Sequence, residues 1–505
     1  MQRLRHAPLL FALTALFASD MVAASGYHFG SQSAAAEGTA NASGAAADDA
    51  TTIFFNPAGM SRLNGDNFSG VLDVVLPNGK FTDQGSSNEL GVPITGNNGG
   101  NFVSTTVVPH AYWAHRLSPD LVAGLGVFVP FGADVKYDGN WVGRYDMIDT
   151  KLVTVAINPS FSWKVTPKLS IGAGISAQYL NGKIIKGADF GGGVASALLN
   201  TAIAQQMAAN PGAPADLIRT GVLNQLSPVI KALSANPNYS GSVDIKGDAW
   251  GTGFNLGLLY EYDKTLRFGL AYRSSITEHL TGSANWNVAQ AAANIGAFLN
   301  QVPGLPQGAG AVAASQLTSA YTDGGANLSV DTPESLSVNA YKALTDKLAI
   351  MSDVTRTRHS RFQNLRVHFT NGLPDANTPE MWSDTSRFAV GATYAWSDRL
   401  TLRTGIAYDQ SPVNANNRTP SIPDNERYWI STGLNAGLTK ASSVDLAVSY
   451  ITLPSMSIDQ YDNGGVTSNG AQVCDHTQNT SSCATVHGRY DVHSWLVGLQ
   501  YNLHW

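Results

Sequence analysis

The sequence predicts an all-β protein, a 14-stranded antiparallel transmembrane β-barrel with a small N-terminal hatch and helix-containing extracellular loops. Fourteen strand-length segments run from residue 66 to residue 505, and the gaps between them alternate between short and long. The segments alternate apolar and polar residues, and none reaches the roughly 18 uninterrupted apolar residues that a membrane helix needs. A barrel in an outer membrane has this rhythm, with short periplasmic turns and long extracellular loops, whereas a soluble sandwich does not.

The first 24 residues have the features of a secretory signal peptide. Arg3 and Arg5 precede an apolar stretch at 8–18, and small residues at 22–24 form a cleavage site, so we expect the mature chain to begin at Ser25. A membrane anchor is the alternative, but the apolar stretch is short. Without the signal the chain has 29 basic and 36 acidic residues, a net charge of −7, which argues against a nucleic-acid partner.

Residues 25–65 do not follow the strand pattern and are rich in Ala, Gly and Ser. We expect Asp48 or Asp49 to cap a short helix there, and Asn56-Pro57 to end it. Small residues allow tight packing inside a barrel. The sequence therefore predicts a hatch over 25–65, inserted from the periplasmic end, followed by the barrel over 66–505.

The strands have one apolar and one polar face. Within the segment 168–180, the odd-numbered residues from 169 to 179 are apolar or aromatic and the even-numbered ones from 170 to 178 are Ser, Gly and Gln. The segments 265–275, 387–396, 400–409 and 495–505 alternate similarly. The apolar face is expected to meet lipid and the polar face the lumen. Tyr and Trp cluster at the strand ends, as interfacial girdles require. They are Trp163, Tyr260, Tyr262, Trp396, Tyr428, Trp429 and Trp505.

Cys474 and Cys483 are the only cysteines, and both lie in one polar loop. In a secreted chain this pattern favours a Cys474–Cys483 disulfide that braces the loop. A metal pair with His476 and His487 is the alternative, although nothing else fixes a geometry for it. No metal and no cofactor is expected.

Several motifs occur in a characteristic order along the chain. They are Ala47 to Ala50 followed by Asn56-Pro57-Ala58, then Pro130-Phe131-Gly132 with 141–145, then 269–274, and finally 403–413 continuing through 417–429. In this order the motifs resemble the FadL-type transporters of long-chain fatty acids and other hydrophobic compounds in Gram-negative outer membranes. The resemblance implies a 14-stranded barrel with an N-terminal hatch, located in the cell outer membrane.

The resemblance also implies a route. Hydrophobic molecules would be captured from outside, diffuse through the protein and leave sideways into the membrane through a gap at an inward kink of the third strand. Gly124, Gly126, Pro130 and Gly132 are the candidates for that kink, because glycine in a strand often marks a bend. Glycines that merely face the lumen are the alternative. Asn56, Pro57 and Ala58 would shape the hatch, or would simply stop a helix.

Two long loops are candidates for the capture site. Apolar residues recur at helical spacing in 194–235 and 288–320, which indicates a groove above the membrane. The alternative is that the helices pack on each other and cap the barrel. The groove candidates are Leu198, Leu199, Leu223, Leu226, Ile230, Phe298 and Leu299.

A fatty-acid carboxylate is best bound by arginine. The alternative is that the lumenal arginines pair with Asp353, Asp409 and Asp445, and that Arg144 is exposed on the surface. The candidates are Arg144, Arg267, Arg273, Arg387, Arg403 and Arg427.

The sequence thus predicts a monomeric channel for passive uptake of long-chain fatty acids, with hydrophobic small molecules and outer-membrane lipid as its partners. An aromatic hydrocarbon channel of the same family and a general polar-solute porin are the alternatives. An enzyme is not expected, because a Gly-x-Ser-x-Gly motif is absent and no spacing selects a catalytic triad.

Overall fold

The computed structural model describes residues 26–461 and 484–505. The predicted signal peptide over 1–24 and the predicted Cys474–Cys483 disulfide lie outside the described residues. Within them no helix is long and apolar enough to cross a membrane.

Fourteen antiparallel strands form a closed barrel, several of them in two pieces, which confirms the predicted fold class. Each strand pairs with its neighbours in the chain, and the last pairs with the first from Asn67 opposite His504 to Asp83 opposite Gly488. The strands are β1 (Asn67–Asp83), β2 (Thr106–Arg116), β3 (Leu121–Phe128 and Gly132–Lys136), β4 (Asp149–Thr166), β5 (Leu169–Ala188), β6 (Gly241–Glu261), β7 (Leu266–Arg273 and Ile276–Asn287), β8 (Gly324–Thr332 and Ser335–Ala343), β9 (Leu348–Thr357 and Asn364–Phe369), β10 (Thr385–Ser397), β11 (Leu400–Asp409), β12 (Arg427–Gly437), β13 (Ser442–Thr452 and Met456–Tyr461) and β14 (Ala484–His504). Two short strands, Ser87–Asn88 and Ala376–Pro379, lie in the loops.

The two faces of the wall differ as the alternation predicts. In β5, Ile175 is 66% exposed on the outside, while Ser176 and Gln178 are buried on the inside. Ile406 and Ile430 of β11 and β12 are likewise exposed outward. An apolar outer face is stable only against hydrocarbon, so the wall is built for lipid contact.

The N-terminal segment, residues 26–65, contains α1 (Ala34–Glu37), α2 (Thr52–Phe55) and a 3-10 helix (Pro57–Arg62). Ser33 caps α1, because its Oγ accepts from the N–H of Ala36 at 3.2 Å. Thr51 is the N-cap residue of α2, so the expectation that Asp48 or Asp49 caps this helix was wrong. Instead Asp49 Oδ1 accepts from the N–H of Thr51 at 2.8 Å, two residues along the chain.

Asn56 and Pro57 end α2 as predicted. The side chain of Asn56 then caps the 3-10 helix, because its Oδ1 accepts from the N–H of Ala58 at 3.1 Å. The Nδ2 of Asn56 donates to the carbonyl of Leu258 in β6 at 3.0 Å. A single amide therefore both starts the 3-10 helix and ties it to the wall.

The N-terminal segment lies across the lumen. The helix α1 contacts β1, β12, β13 and β14, whereas the 3-10 helix contacts β3, β4, β5 and β6 on the opposite arc. Glycine permits the close approach at Gly257 of β6, where a Cβ would clash with Asn56. The segment is thus seated against two opposite sides of the barrel.

Helices fill the two long loops, as the apolar spacing predicts. They are α3 (Phe190–Ala209) and α4 (Ala215–Leu233) between β5 and β6, with α5 (Ala289–Leu299) and α6 (Ala309–Ala320) between β7 and β8. Short 3-10 helices occur at Pro237–Tyr239, His359–Arg361 and Ala415–Asn417. The four loop helices share one apolar cluster, which packs on the ends of the strands.

Candidate functional site

The third strand is interrupted at residues 129–131, between its two pieces. Phe128 lies opposite Ala156 of β4 and Gly132 lies opposite Val153. Three residues of β3 therefore face only two of β4, which is a β-bulge and bends the strand. Pro130 has no N–H to give to a ladder, so it suits this position.

On its other side β3 leaves β2 early. The register between β2 and β3 runs only from Ala111 opposite Val127 to Arg116 opposite Val122. Residues 106–110 of β2 pair with β1 but are in no register with β3. We call the opening between 106–110 and 129–131 the window.

Of the four residues proposed for the kink, Pro130 and Gly132 lie at the window. Gly124 and Gly126 lie in the regular part of β3, opposite Ser160 and Asn158 of β4. A Cβ at Gly124 would be 2.5 Å from Met60 Sδ in the N-terminal segment. These two glycines therefore make room for the segment rather than form the interruption.

The start of the N-terminal segment binds the window from inside. The N–H of Phe29 donates to the carbonyl of Pro130 at 2.9 Å, and the N–H of Gly132 donates to the carbonyl of Tyr27 at 2.7 Å. The Nε2 of Gln32 donates to the carbonyl of Val129 at 2.7 Å. The interrupted strand thus finds its backbone partners in residues 27–32.

Three cavities surround residues 26–31. The apolar cavity, of about 710 Å³, lies below the loop helices. Its polar neighbours are Tyr27, Thr150, Lys151, Lys183, Lys246, Asn327, Glu380 and Ser421. Its apolar lining comes from β4 to β9 and the loops beyond them. These residues are Leu152, Leu180, Ile184, Ile245, Leu280, Leu328, Val330, Phe362, Leu365, Val367 and Ile422.

The arginine cavity, of about 930 Å³, combines cationic and aromatic groups. It is lined by Arg273 and Arg387 from the wall and by His28, Phe54 and Phe55 from the N-terminal segment. Burial and the nearby arginines lower the pKa of His28 to about 4, so this imidazole is neutral at pH 7. The cavity therefore offers positive charge from arginine alone, beside aromatic surface.

The window cavity, of about 800 Å³, lies beside the window, behind residues 102–103 and 133–135. Gly26 and Phe29 line it together with apolar residues of β1, β3, β13, β14 and the loop before β2. Among these are Val75, Phe102, Val103, Val135, Ile451, Leu453, Val492 and Leu496.

Residues 26–30 lie between the three cavities. Tyr27 lines the apolar cavity, His28 and Gly30 line the arginine cavity, and Gly26 and Phe29 line the window cavity. The sequence analysis did not single out these residues, although an aromatic Tyr-His-Phe run in a segment rich in Ala, Gly and Ser is a signal it could have used.

Three of the proposed arginines hold the N-terminal segment by its backbone. Arg267 donates to the carbonyls of residues 45 and 46 at 2.5 and 2.7 Å, and its Nη2 is 3.6 Å from Asp48. Arg387 donates to the carbonyl of Ala40 at 2.7 Å. Arg273 donates to the carbonyl of Phe54 at 3.0 Å and stacks on that ring.

The other three proposed arginines are engaged elsewhere. Arg403 pairs with Asp445, as the alternative predicted, whereas Arg427 pairs with Asp424 at 2.6 Å. Arg144 is buried among the loops, where it donates to the carbonyls of residues 95 and 235 at 2.8 and 3.0 Å. The alternative that Arg144 is exposed on the surface is therefore wrong, since its side chain is buried.

Arg273 stands apart from the other lumenal arginines. Arg267, Arg403 and Arg427 each have a carboxylate partner, and Asp353 and Asp409 line the arginine cavity beside Arg387. Across residues 26–461 and 484–505, no ion pair joins Arg273 to a carboxylate. A half-buried guanidinium without a counter-ion inside a cavity is a ready partner for an anionic group.

The groove candidates in the loop helices are placed at three depths. Leu199, Ile230 and Leu299 are buried in the cluster between the helices, as the packing alternative predicts. Leu198, Leu226 and Phe298 are half-buried at its edge. Leu223 is exposed. A molecule from outside can therefore reach Leu223 and the three half-buried residues, but not the buried ones.

Comparisons with known proteins agree on one family. Residues 15–505 match the sequence model of the family described as outer membrane protein transport protein (OMPP1/FadL/TodX). The protein NMB0088 of Neisseria meningitidis serogroup B is 34% identical over 96% of both chains. The long-chain fatty acid transport protein of Escherichia coli K12 is 28% identical over 83% of this chain and 85% of its own.

Two solved structures are similar in fold. A Pseudomonas aeruginosa FadL homologue superposes with a TM-score of 0.75 at 22% identity, covering 95% of this chain and 99% of its own. The Pseudomonas putida toluene transporter TodX superposes with a TM-score of 0.57 at 17% identity, covering 90% of this chain and 94% of its own.

Proposed function

This chain belongs to the OMPP1/FadL/TodX family of outer membrane transport proteins, and from that premise we propose that it takes up long-chain fatty acids by passive diffusion and releases them sideways through the window. Transport of hydrophobic molecules across the outer membrane is the family's function. The proposal concerns the substrate and the route, and it involves no chemical reaction.

The order of the cavities supports this route. A molecule that leaves the exposed edge of the loop helices next meets the apolar cavity, then the stretch 26–30, and then the window cavity. Each methylene removed from water contributes about 0.8 kcal/mol, so an acyl chain gains by following apolar walls into the hydrocarbon of the membrane. A sideways exit also avoids the polar vestibule that Asp48, Lys264 and Asp346 line at the short-turn end.

The N-terminal segment would serve as the hatch. It is seated on two arcs of the wall, and its first residues both close the window and lie between the cavities. Withdrawal of residues 26–30 from β3 would break two backbone hydrogen bonds and open the path. The Asn56-Pro57-Ala58 motif would stay on the wall and act as the fixed end of the hatch.

The uncompensated charge of Arg273 is the observation that favours a fatty acid as the substrate. A carboxylate in the arginine cavity would supply the counter-ion that Arg273 lacks, while the tail would lie on Phe54, Phe55 or in the apolar cavity. An aromatic hydrocarbon has no group for this arginine. The similarity to a toluene transporter nevertheless makes aromatic hydrocarbons the second candidate, and they would need the apolar cavity alone.

Uptake of labelled oleate and labelled toluene by cells that express Arg273→Met tests the substrate class. A charge-assisted hydrogen bond contributes about 1.5–3 kcal/mol, so oleate uptake should fall at least roughly tenfold while toluene uptake stays constant. Arg403→Met is the matched control, because Arg403 already has Asp445. Unchanged oleate uptake in Arg273→Met would refute the carboxylate role, and toluene uptake without oleate uptake in the parent protein would favour the hydrocarbon channel. Rapid leakage of small sugars through the parent protein would favour the porin.

A further inference from the structure

Three ionisable side chains from three different elements meet in the interior below the window. They are Glu37 of α1, Asp73 of β1 and His110 of β2, and all are buried. His110 Nε2 lies 3.4 Å from Asp73 Oδ2. A Cβ at Gly498 of β14 would clash with Glu37 Oε2 and lie 3.0 Å from Asp73 Oδ1, so the two carboxyl groups are neighbours.

The hydrogen bonds around this cluster define where protons lie. The N–H of Val129, at the window, donates to His110 Nδ1 at 3.2 Å, so the proton of a neutral His110 is on Nε2 and faces Asp73. Ser449 Oγ donates to Glu37 Oε1 at 3.0 Å. Glu37 Oε2, both oxygens of Asp73 and His110 Nε2 have no hydrogen-bond partner in the described part of the chain.

Two buried carboxyl groups in contact are not both ionised, because each would add charge that neither water nor a cation neutralises. Burial and the neighbouring Asp73 raise the pKa of Glu37 well above its usual range. The other acids near α1 are occupied elsewhere, Asp445 by Arg403 and Asp49 by Thr51 and Gln500. One proton shared between Glu37 and Asp73 would satisfy the oxygens that are otherwise without partners.

We propose that Glu37 holds a proton toward Asp73, and that Glu37, Asp73 and His110 act as positioning residues that lock α1 of the N-terminal segment to the window at Val129. The chain of contacts runs from Glu37 through Asp73 and His110 to the backbone of the interrupted strand. Loss of the proton places a second negative charge in a buried site, and withdrawal of α1 relieves it. The lock therefore couples the seat of the N-terminal segment to the edge of the window.

The direction of the pH effect follows from the raised pKa. Protonation of Glu37 favours the seated state, so seating is complete at low pH and weakens as pH rises through the raised pKa. Because opening releases one proton in this range, the ratio of withdrawn to seated protein should rise about tenfold per pH unit between the ordinary pKa of a carboxyl group and the raised pKa of Glu37, and it should level off above the raised pKa. The role of this opening in ligand release rests on the proposed function, but the lock itself does not.

Hydrogen–deuterium exchange of the full-length protein in lipid nanodiscs tests the lock without any ligand. Exchange is measured from pH 5 to pH 9 in peptides that cover 34–41 and 127–133, after correction for the intrinsic pH dependence of exchange. In the parent protein both peptides should lose protection together as pH rises. Glu37→Gln keeps a neutral side chain that donates to Asp73, so both peptides should stay protected over the whole range.

Two further variants make the outcome decisive. Asp73→Asn also removes the second charge, and it should give the same flat profile if Glu37→Gln does not assemble. Asp48→Asn is the matched control, because this carboxylate of the same segment is 66% exposed, and it should keep the parent profile. A parent-like pH profile in Glu37→Gln or Asp73→Asn, or separate transitions in the two peptides, would overturn the proposal. Transport assays do not enter this result, so it is independent of the substrate.

Discussion

Three regions of the barrel wall contain interrupted strands, at β3, at β7 to β9 and at β13, and the first two differ in whether the wall opens. On one side β7, β8 and β9 are interrupted side by side. Their three upper pieces still pair with each other, and so do their three lower pieces. On the other side β3 is interrupted alone between two continuous neighbours. There β4 pairs with both pieces, whereas β2 pairs only with the lower one.

The difference shows that neighbours decide what an interruption does. When adjacent strands break at the same height, the ladder resumes and the wall bends. At β3, which breaks without its neighbours and has one residue more than its partner β4, the edge that faces β2 separates and the wall opens. The N-terminal segment contacts both places: its backbone binds β3 at the window, and its Tyr27 packs on Phe362 and Trp382 at the bend.

Two groups of side chains brace the bend of the wall at β7, β8 and β9. The rings of Tyr27, Phe362 and Trp382 lie within 4.9–5.7 Å of one another behind it. On the outer side Arg358 and Arg361 both pair with Glu334. The bend should therefore tolerate the loss of single contacts, whereas the window should respond to any change in register.

Deletion of Pro130 should give the largest effect, because it removes the extra residue of the bulge. Phe128 and Gly132 would then lie three positions apart on both strands, opposite Ala156 and Val153, and β3 could run without interruption beside β2. We expect oleate uptake to fall at least roughly tenfold, which corresponds to about 1.4 kcal/mol in activation free energy. The barrel itself should still form. Normal uptake by a correctly inserted deletion variant would show that the window is not the exit.

Substitution of Glu380 tests the pH dependence of stability at the bend. Burial raises the pKa of Glu380 to about 7, and Ser421, Thr419 and Trp382 donate hydrogen bonds to it. A raised native pKa gives stability at low pH that is lost as pH rises, here by roughly 1.4 kcal/mol between pH 6 and pH 8. Glu380→Gln should remove this loss.

Exchange of peptides that cover 359–369 and 127–133 in the same samples measures where the effect lies. The bend peptide should lose protection between pH 6 and pH 8 in the parent protein and not in Glu380→Gln. An equal loss of protection in the parent protein and in Glu380→Gln would show that another group titrates.

The double substitution Arg358→Gln and Arg361→Gln should have the smallest effect. These side chains are 60% and 36% exposed, and exposed ion pairs contribute at most about 1 kcal/mol. We expect a slightly lower stability of the upper piece of β9 in denaturant, and uptake equal to that of the parent protein. A loss of uptake comparable to that of the Pro130 deletion would mean that the bend, too, takes part in transport.

Sequence reasoning succeeded where a local pattern determines the structure. Period-two alternation predicted the fourteen strands and their outward faces, and helical spacing predicted the loop helices. It could not separate Gly124 and Gly126 from the true interruption, because an opening depends on the register of three strands at once. It also could not foresee that Arg273 and Arg387 bind backbone carbonyls, since carbonyls are present at every position.

The ionisable cluster below the window was missed for a related reason. Glu37, Asp73 and His110 are far apart in the chain, and none belongs to a motif. Only closure of the barrel brings α1, β1 and β2 to one place. Such sites become visible when burial and hydrogen bonds are compared atom by atom.

The seam between β1 and β14 has a consequence for biogenesis. Ser69 Oγ donates to Asn502 Oδ1 at 2.7 Å across 433 residues of chain, and Asp66 and Trp505 exchange two backbone hydrogen bonds beside it. Pairings of such long sequence separation form late, because the loop entropy must be overcome first. The N-terminal segment directly precedes β1, so it must already lie within the curling sheet when the last strand arrives. The assembly machinery therefore has to accept a nascent sheet that already encloses the N-terminal segment. Pairing of β14 with β1 then closes the barrel around that segment.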